Sequence, residues 1–207
     1  MVKLIVGMIK TKKIIFVTGN PLKILHANTA LKGLGFSVVG QKLDIIESRE
    51  EEPEKVVVEK AIQAFQQLKK PLIVEDSGIF INALGGFPKT FVHFALDTLG
   101  IKNILKLMDG VEDRGAEFRQ SLAYIEPGMV EPKVFSYVDG GFTLADRVWE
   151  NNRNDFGEFD KVLIPPGESK PLSMFSKRWR AKRDAEQNKG TIHYEQLSHW
   201  FKTNLTH

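Results

Sequence analysis

The chain contains no cysteine, which excludes disulfides, thiolate zinc centres and a cysteine nucleophile. It has no long apolar run. Nothing approaches the ~20 residues of a membrane-spanning helix. The apolar stretch at residues 4–9 is short and is not followed by the small-residue cleavage pattern of a signal peptide. There is no phosphate-loop pattern, no GxGxxG and no HExxH, and the five histidines show no metal-binding spacing. His26 and His93 read as helix-surface or cleft residues. No repeat or low-complexity tract occurs. Neither sign of charge dominates: 29 Lys+Arg face 26 Asp+Glu, and a net charge of +3 is too mild for wholesale nucleic-acid binding. With 207 residues, 42% hydrophobic and 27% charged, the composition is that of a globular protein with one large domain or one domain with a lobe. The expectation is a cytoplasmic protein with an N-terminal extension, residues 1–12, before a single two-lobed domain, residues 13–207.

Residues 14–17 (Ile-Ile-Phe-Val) form a strand-like run before Thr18-Gly19-Asn20-Pro21-Leu22-Lys23. Asn20 suits an N-cap and Pro21 a first helical position. Leu22, Leu25, Leu31 and Leu34 then supply a helical apolar face. The turn at 18–20 therefore offers backbone N–H groups and a helix dipole to an anion, and Lys23 adds a charge one turn in. A capped helix with a surface lysine is the bland alternative. Residues 36–39 read as a second strand, and the acidic stretch 44–52 as a loop of mostly solvated acids. Pro53 opens an amphipathic helix with Val57, Ala61, Ala64 or Phe65, and Leu68 on one face and Lys60 beside it. Pro71 ends it.

Leu72, Ile73 and Val74 predict a short buried strand that ends in Glu75 and Asp76, followed by Ser77 and Gly78 in a turn. α/β proteins place ligands at such strand ends, although two surface acids would look the same. Residues 96–109 read as a helical region weakened at Gly100 and stopped at Gly110. Residues 118–125 and 134–138 read as strands around Pro127-Gly128, and Gly140-Gly141 leads to a further run at 142–148. These suggest a β-rich second lobe. A polar loop at 153–160 precedes the apolar run 162–164. Residues 177–183 carry five cations around Trp179. Tyr194, Leu197, Phe201 and Leu205 mark a closing amphipathic helix.

A phosphate-ready helix start, two lysines and carboxylates at strand or loop ends suit a Mg²⁺-bound polyphosphate, because Mg²⁺ takes one or two carboxylates together with phosphates and waters. Phosphoryl chemistry rests on positioning and charge stabilisation and needs no covalent nucleophile.

Thr18-Gly19-Asn20-x-x-Lys23, Glu75-Asp76-Ser77-Gly78 with Ala83-Leu84-Gly85-Gly86-Phe87-Pro88, and Phe156-Gly157 through Asp160 to Pro166-Gly167 resemble, in order and spacing over residues 13–167, the inosine triphosphate pyrophosphatase (Ham1-like) family. The resemblance implies an α/β fold: an elongated mixed sheet flanked by helices, with a second β-rich lobe and a central cleft. It implies a homodimer and Mg²⁺-dependent hydrolysis of ITP, dITP or XTP to the monophosphate and pyrophosphate. It assigns Thr18, Gly19, Asn20, Lys23, Lys60 and Ser77 to the triphosphate and Asp76 to the metal and the attacking water, with Glu75 beside it. It assigns a second metal-binding Glu to the acidic loop, where Glu47 fits best and Glu50, Glu51 or Glu52 remain open. Phe156, Gly157, Phe159 and Asp160 would line the base pocket.

The sequence also departs from the family. Gly157-Glu158-Phe159-Asp160-Lys161 has an extra residue and no proline, Lys89 replaces a glycine, and His26 stands at a commonly acidic position. The late Lys…Ser-His-Arg motif that reads the purine is altered. It falls either at 176–181, which includes Arg178, or at Lys189 with His193 and Tyr194. Two other readings follow from these features: a related pyrophosphatase with different base selectivity, and a nucleic-acid binder using residues 177–183 with Trp179. A catalytically dead nucleotide sensor is a third, opposed by the retention of Lys23, Glu75 and Asp76.

Overall fold

The computed structural model describes residues 11–46, 48–150, 157–187 and 192–204, without the side chains of residues 184, 185 and 187. β1 (Lys12–Phe16) buries Ile14, Ile15 and Phe16, each worth about 1.5–3 kcal/mol relative to exposure. α1 (Pro21–Ala30) follows, capped by Asn20 as expected. Its buried stripe differs from the expected leucine face. Of the expected face, Leu31 is buried and Leu34 packs against the same cluster, but Leu22 and Leu25 are 61% and 58% exposed, and Ala27 with Ile24 takes their place. The 24–27–31 spacing is an equally good helical stripe, and contact with the sheet selects it.

β2 (Phe36–Gly40) lies parallel to β1. α2 (Pro53–Leu68) buries Val56, Val57, Ala61 and Ala64 and ends at Lys69 in a left-handed conformation. β3 (Leu72–Ile81) pairs parallel with β1 only at Leu72 and Ile73, then continues for eight residues. The predicted turn at Ser77 and Gly78 is thus strand. The reason is β5 (Gly115–Ile125), reached after β4 (Pro88–Lys89), α3 (Val92–Thr98) and α4 (Gly100–Lys106). β5 pairs antiparallel with β3 from Leu72↔Ile125 to Ile81↔Ala116, so its ladder holds the polar residues extended. The helical region read over 96–109 is two short helices meeting at Leu99–Gly100.

β6 (Lys133–Leu144) joins into one strand what the sequence suggested were two. It absorbs Gly140-Gly141 as a β-bulge, where the register with β5 shifts between Ala116 and Phe118 and Gly141 takes φ +77°. β7 (Leu163–Ile164), α5 (Lys177–Gln187) and α6 (His193–Asn204) complete the described chain. The strands form one mixed sheet in the order β2-β1-β3-β5-β6-β7, with β4 pairing β3.

Two apolar clusters cover opposite faces at one end of the long strands. One joins Ile14, Phe16, Ile73 and Tyr124 to Leu197 and Phe201 of α6; the other joins Ile15, Leu72 and Val74 to α2. A third cluster, with Ile79, Ile81, Ile104, Met108 and Phe142, fills the other end. The second lobe is therefore an extension of the same sheet.

Gly78 sits where β4 crosses. An added Cβ would lie 2.5 Å from the Lys89 carbonyl oxygen and 2.7 Å from its carbon, and backbone cannot swing aside as a side chain can. At Gly140 the nearest atom would be 3.7 Å away. Gly78→Ala should cost about 1–3 kcal/mol in urea denaturation, while Gly140→Ala stays within about 0.5 kcal/mol. Equal effects at the two positions would contradict this packing.

Candidate active site

β1 stops pairing at Phe16↔Ile73, and the Val17 N–H donates to the Ile73 carbonyl at 3.0 Å before the chain turns into α1. β3 runs on past this point, so Glu75 and Asp76 stand beside the gap beyond the C-terminal end of β1. Open α/β sheets form ligand crevices there. Successive strand residues face opposite sides. Glu75 turns to α1 and α6: Lys23 Nζ lies 3.2 Å from Oε1, the Tyr194 hydroxyl donates to Oε2, and His193 Nε2 lies 3.7 Å from Oε2. Asp76 turns to α2, where Lys60 Nζ donates to Oδ1 at 2.7 Å.

The two carboxylates differ in access, with side-chain exposures of 7% for Glu75 and 17% for Asp76. Burial alone would push the Glu75 carboxyl upward, but the His193 imidazole, the Lys23 ammonium and the Tyr194 hydroxyl together hold it down at about 2. Burial and the facing Glu75 charge raise the Tyr194 phenol well above its ordinary range.

In the turn, the Thr18 hydroxyl accepts from the Asn20 N–H at 3.1 Å and the Asn20 side chain accepts from the Leu22 N–H at 2.9 Å. The aliphatic stem of Lys42 lies directly over Gly19, which brings a third lysine to this corner. Thr18, Gly19, Asn20, Lys23, Lys60, Glu75 and Asp76 thus gather around the end of β1, with Ser77 next along β3.

Beside this corner opens a cavity of ≈ 970 Å³. Its floor is one face of β5 and β6, Phe118 and Gln120 with Tyr137 and Asp139, alternate residues in register with one another. His26 of α1 and Tyr194 of α6 form the side next to Glu75. On the far wall Arg180 and Arg183 of α5 meet Asp160. Arg183 clasps Asp139 through two bonds, 2.9 and 3.1 Å, and Arg180 donates to Asp160 at 3.1 Å.

Several expected roles shift. Arg178 is exposed, because positions 180 and 183 share the inner face of α5 and 178 does not. Phe159 is buried in the apolar cluster with Met108 and Phe142. Gly157 is exposed and donates its N–H to Asp160 at 3.3 Å. Glu50, Glu51 and Glu52 remain solvated, as expected, but each is also ion-paired, with Lys55, Lys89 and Arg119, and Arg119 lies over the Phe80 ring. Trp179 stacks on Phe175 at 3.9 Å and packs on the core, so it offers no open face to a base. His93 is exposed on α3. Glu47, Phe156 and Lys189 lie outside the described residues. His193 and Tyr194, read from sequence only as one placement of the altered purine motif, instead face Glu75; Asp139, Arg183 and Lys42 escaped sequence reasoning, and Arg180 was covered only as part of the 176–181 placement, the i, i+3 spacing of the two arginines being the available signal.

A carboxylate–ammonium corner at a helix start, joined through Tyr194 to the wall of a nucleoside-sized cavity, defines an α/β protein suited to polyphosphate esters. The Ham1 family profile matches residues 14–187, and the chain belongs to the Ham1 family. It is 40% identical over 157 residues to the dITP/XTP pyrophosphatase of Methanosarcina mazei, covering 70% of this chain and 84% of that one. It is 34% identical over 194 residues to the dITP/XTP pyrophosphatase of Methanopyrus kandleri, covering 93% and 98%. In fold it resembles a HAM1 protein from Coxiella burnetii, with a TM-score of 0.77 at 22% identity over 93% of this chain and 99% of that one. The Staphylococcus aureus Ham1 protein gives 0.72 at 23% with the same coverage.

The depressed Glu75 value links the site to stability. The carboxyl titrates near 4.5 when unfolded and at about 2 when folded, so its contribution is complete above pH 4.5 and is lost as pH falls toward 2. Between pH 5 and pH 2 the wild type should lose about 3 kcal/mol more than Glu75→Gln, read from urea midpoints. Parallel losses would contradict a buried, ionised Glu75.

Proposed function

We propose that the chain hydrolyses non-standard purine nucleoside triphosphates (dITP, ITP and XTP) to the monophosphate and pyrophosphate, with Mg²⁺ as cofactor. One observation carries the reading: Lys23–Glu75 and Lys60–Asp76 stand on either side of β3 beyond the end of β1, at the N-terminus of α1, and the Lys23–Glu75 side adjoins, through Tyr194, a cavity large enough for a nucleoside. The names of the 40% and 34% identical relatives support it.

Thr18, Gly19 and Asn20 present the helix start to phosphate oxygens, and Lys23, Lys42 and Lys60 supply compact positive charge. Asp76 fits a metal ligand: it is an oxygen donor, partly exposed, and its Oδ2 has no bond among the described residues. The resemblance adds Glu47 as a second carboxylate. Bound Mg²⁺ would polarise the attacked phosphorus and acidify a water. Asp76 orients that water from one side of the sheet, while Glu75, drier and fully engaged, keeps Lys23 aimed at the phosphates from the other. A homodimer and a cytoplasmic location belong to the same reading, and light scattering tests the first. No helix among the described residues is long and apolar enough to cross a membrane.

A panel of nucleoside triphosphates with Mg²⁺, scored for pyrophosphate release, tests the reaction. Asp76→Asn should lower turnover at least about 100-fold with an unchanged circular dichroism spectrum. Lys23→Ala should raise KM about 10-fold or more. Wild-type turnover by Asp76→Asn would refute the assignment of the centre.

A further inference from the structure

The loop between β2 and α2, residues 44–52, holds five acids and one arginine. Such a segment gains nothing by approaching the Asp76 carboxylate, because like charges repel. It comes close only where contacts hold it. Those contacts descend α2 turn by turn. Gln67 Nε2 donates to the Asp44 carbonyl at 3.1 Å. One turn earlier, Gln63 makes two bonds to one residue: its Oε1 accepts from the Ile46 N–H at 3.0 Å, and its Nε2 donates to the Ile46 carbonyl at 3.1 Å. One turn earlier again stands Lys60, whose ammonium donates to Asp76 at 2.7 Å. Positions 60, 63 and 67 share a helix face, so one stripe of α2 holds both Asp76 and the loop.

The far end of the loop is tied down by other means. The Thr90 hydroxyl donates to the Glu50 carbonyl at 2.6 Å, and Glu50, Glu51 and Glu52 pair with Lys55, Lys89 and Arg119. Those three carboxylates already have cations of the protein as partners. At the Gln63 end, burial does not do this work. Leu43 and Ile45 pack against the α2 cluster, but Ile46 is 81% exposed. Among the described residues, the hydrogen bonds of the Ile46 backbone go to Gln63. Two parallel bonds fix orientation as well as distance, whereas a single bond leaves a segment free to pivot.

We propose that Gln63 is a positioning residue for the divalent cation. Its amide keeps the acidic loop in register with Lys60 and Asp76, so that oxygens of the loop and of β3 are gathered before the cation arrives. This rests on the Mg²⁺ reading above, in which Asp76 is one ligand and the resemblance assigns a second carboxylate to this loop. Gln63 touches neither Asp76 nor the cation. It acts by holding the backbone that presents an acid against the repulsion of another. Groups that orient metal ligands in this way commonly govern 10–100-fold in metal affinity.

The test titrates Mn²⁺, as a paramagnetic stand-in for Mg²⁺, into the full-length protein and follows loss of the free-ion EPR signal. The wild type is compared with Gln63→Met, which keeps the length of the side chain and loses both bonds, and with Gln66→Met, exposed on the same helix. Gln63→Met should weaken Mn²⁺ binding about 10-fold or more and raise the Mg²⁺ concentration for half-maximal pyrophosphate release by a similar factor. At saturating Mg²⁺ its kcat should return to within about 2-fold of wild type. Its metal-free melting temperature should stay within about 4 °C of wild type. Gln66→Met should match the wild type on every readout. Wild-type Mn²⁺ affinity in Gln63→Met overturns the inference. So does a loss of kcat that saturating Mg²⁺ does not restore, or a wild type that binds no Mn²⁺ in the absence of nucleotide; all three leave the proposed reaction standing. Conversely, a wild type that releases pyrophosphate from no triphosphate, yet binds Mn²⁺ with an affinity that depends on Gln63, sinks the reaction and keeps the positioning role.

Discussion

A buried carboxylate is the constraint on which this structure turns. Glu75 lies in the middle of the sheet, where an unpaired charge would cost several kcal/mol. It is kept ionised by groups from two distant parts of the chain, Lys23 on α1 and His193 with Tyr194 on α6. None of these elements could leave without stranding the charge. The same contact therefore closes the C-terminal helix onto the sheet, aims a lysine at the turn after β1 and forms one side of the cavity. Structural integrity and the proposed chemistry draw on a single cluster of atoms.

The strand that carries Glu75 separates two roles by its pleat. One side chain faces the helices that wall the cavity, and the next faces α2 and Lys60. The first is dry and saturated with partners, and the second is wetter and lightly held. Two adjacent acids thus acquire different chemistry from alternation alone, with no change in backbone. This arrangement needs a neighbour that stops early, and β1 does so at Phe16. Farther along the sheet, the alternation that sends Glu75 to one face also puts Gln120 and Tyr137 on the cavity floor.

Much of the first half of the chain was legible. Asn20-Pro21 announced α1, and Pro53 and Pro71 bracketed α2, because capping and proline chemistry are local. The Lys23, Lys60, Glu75 and Asp76 constellation was legible through its motif spacing. The length of β3 was not, since polar residues at 75–78 stay extended only because β5, some forty residues later, supplies a ladder. Nor was the buried stripe of α1, where two spacings competed and the sheet decided. The partners of Glu75 lay almost 120 residues away, and nothing near Tyr194 signalled an acid. On α5 the run of cations hid its own polarity: helical spacing separates the inward Arg180 and Arg183 from the outward Arg178, but only a known helix phase reveals it.

β3, β5 and β6 pass unbroken from the apolar clusters at one end to the cluster at the other, laddered throughout except at the Gly141 bulge. A floor built this way has no hinge across it, because bending would rupture several interstrand bonds at once. Admission and release of a nucleotide must then fall to the helical rim. In this molecule the sheet is the anvil, α6 is fixed to it through Glu75 and the buried Leu197 and Phe201, and whatever breathing occurs belongs to α5.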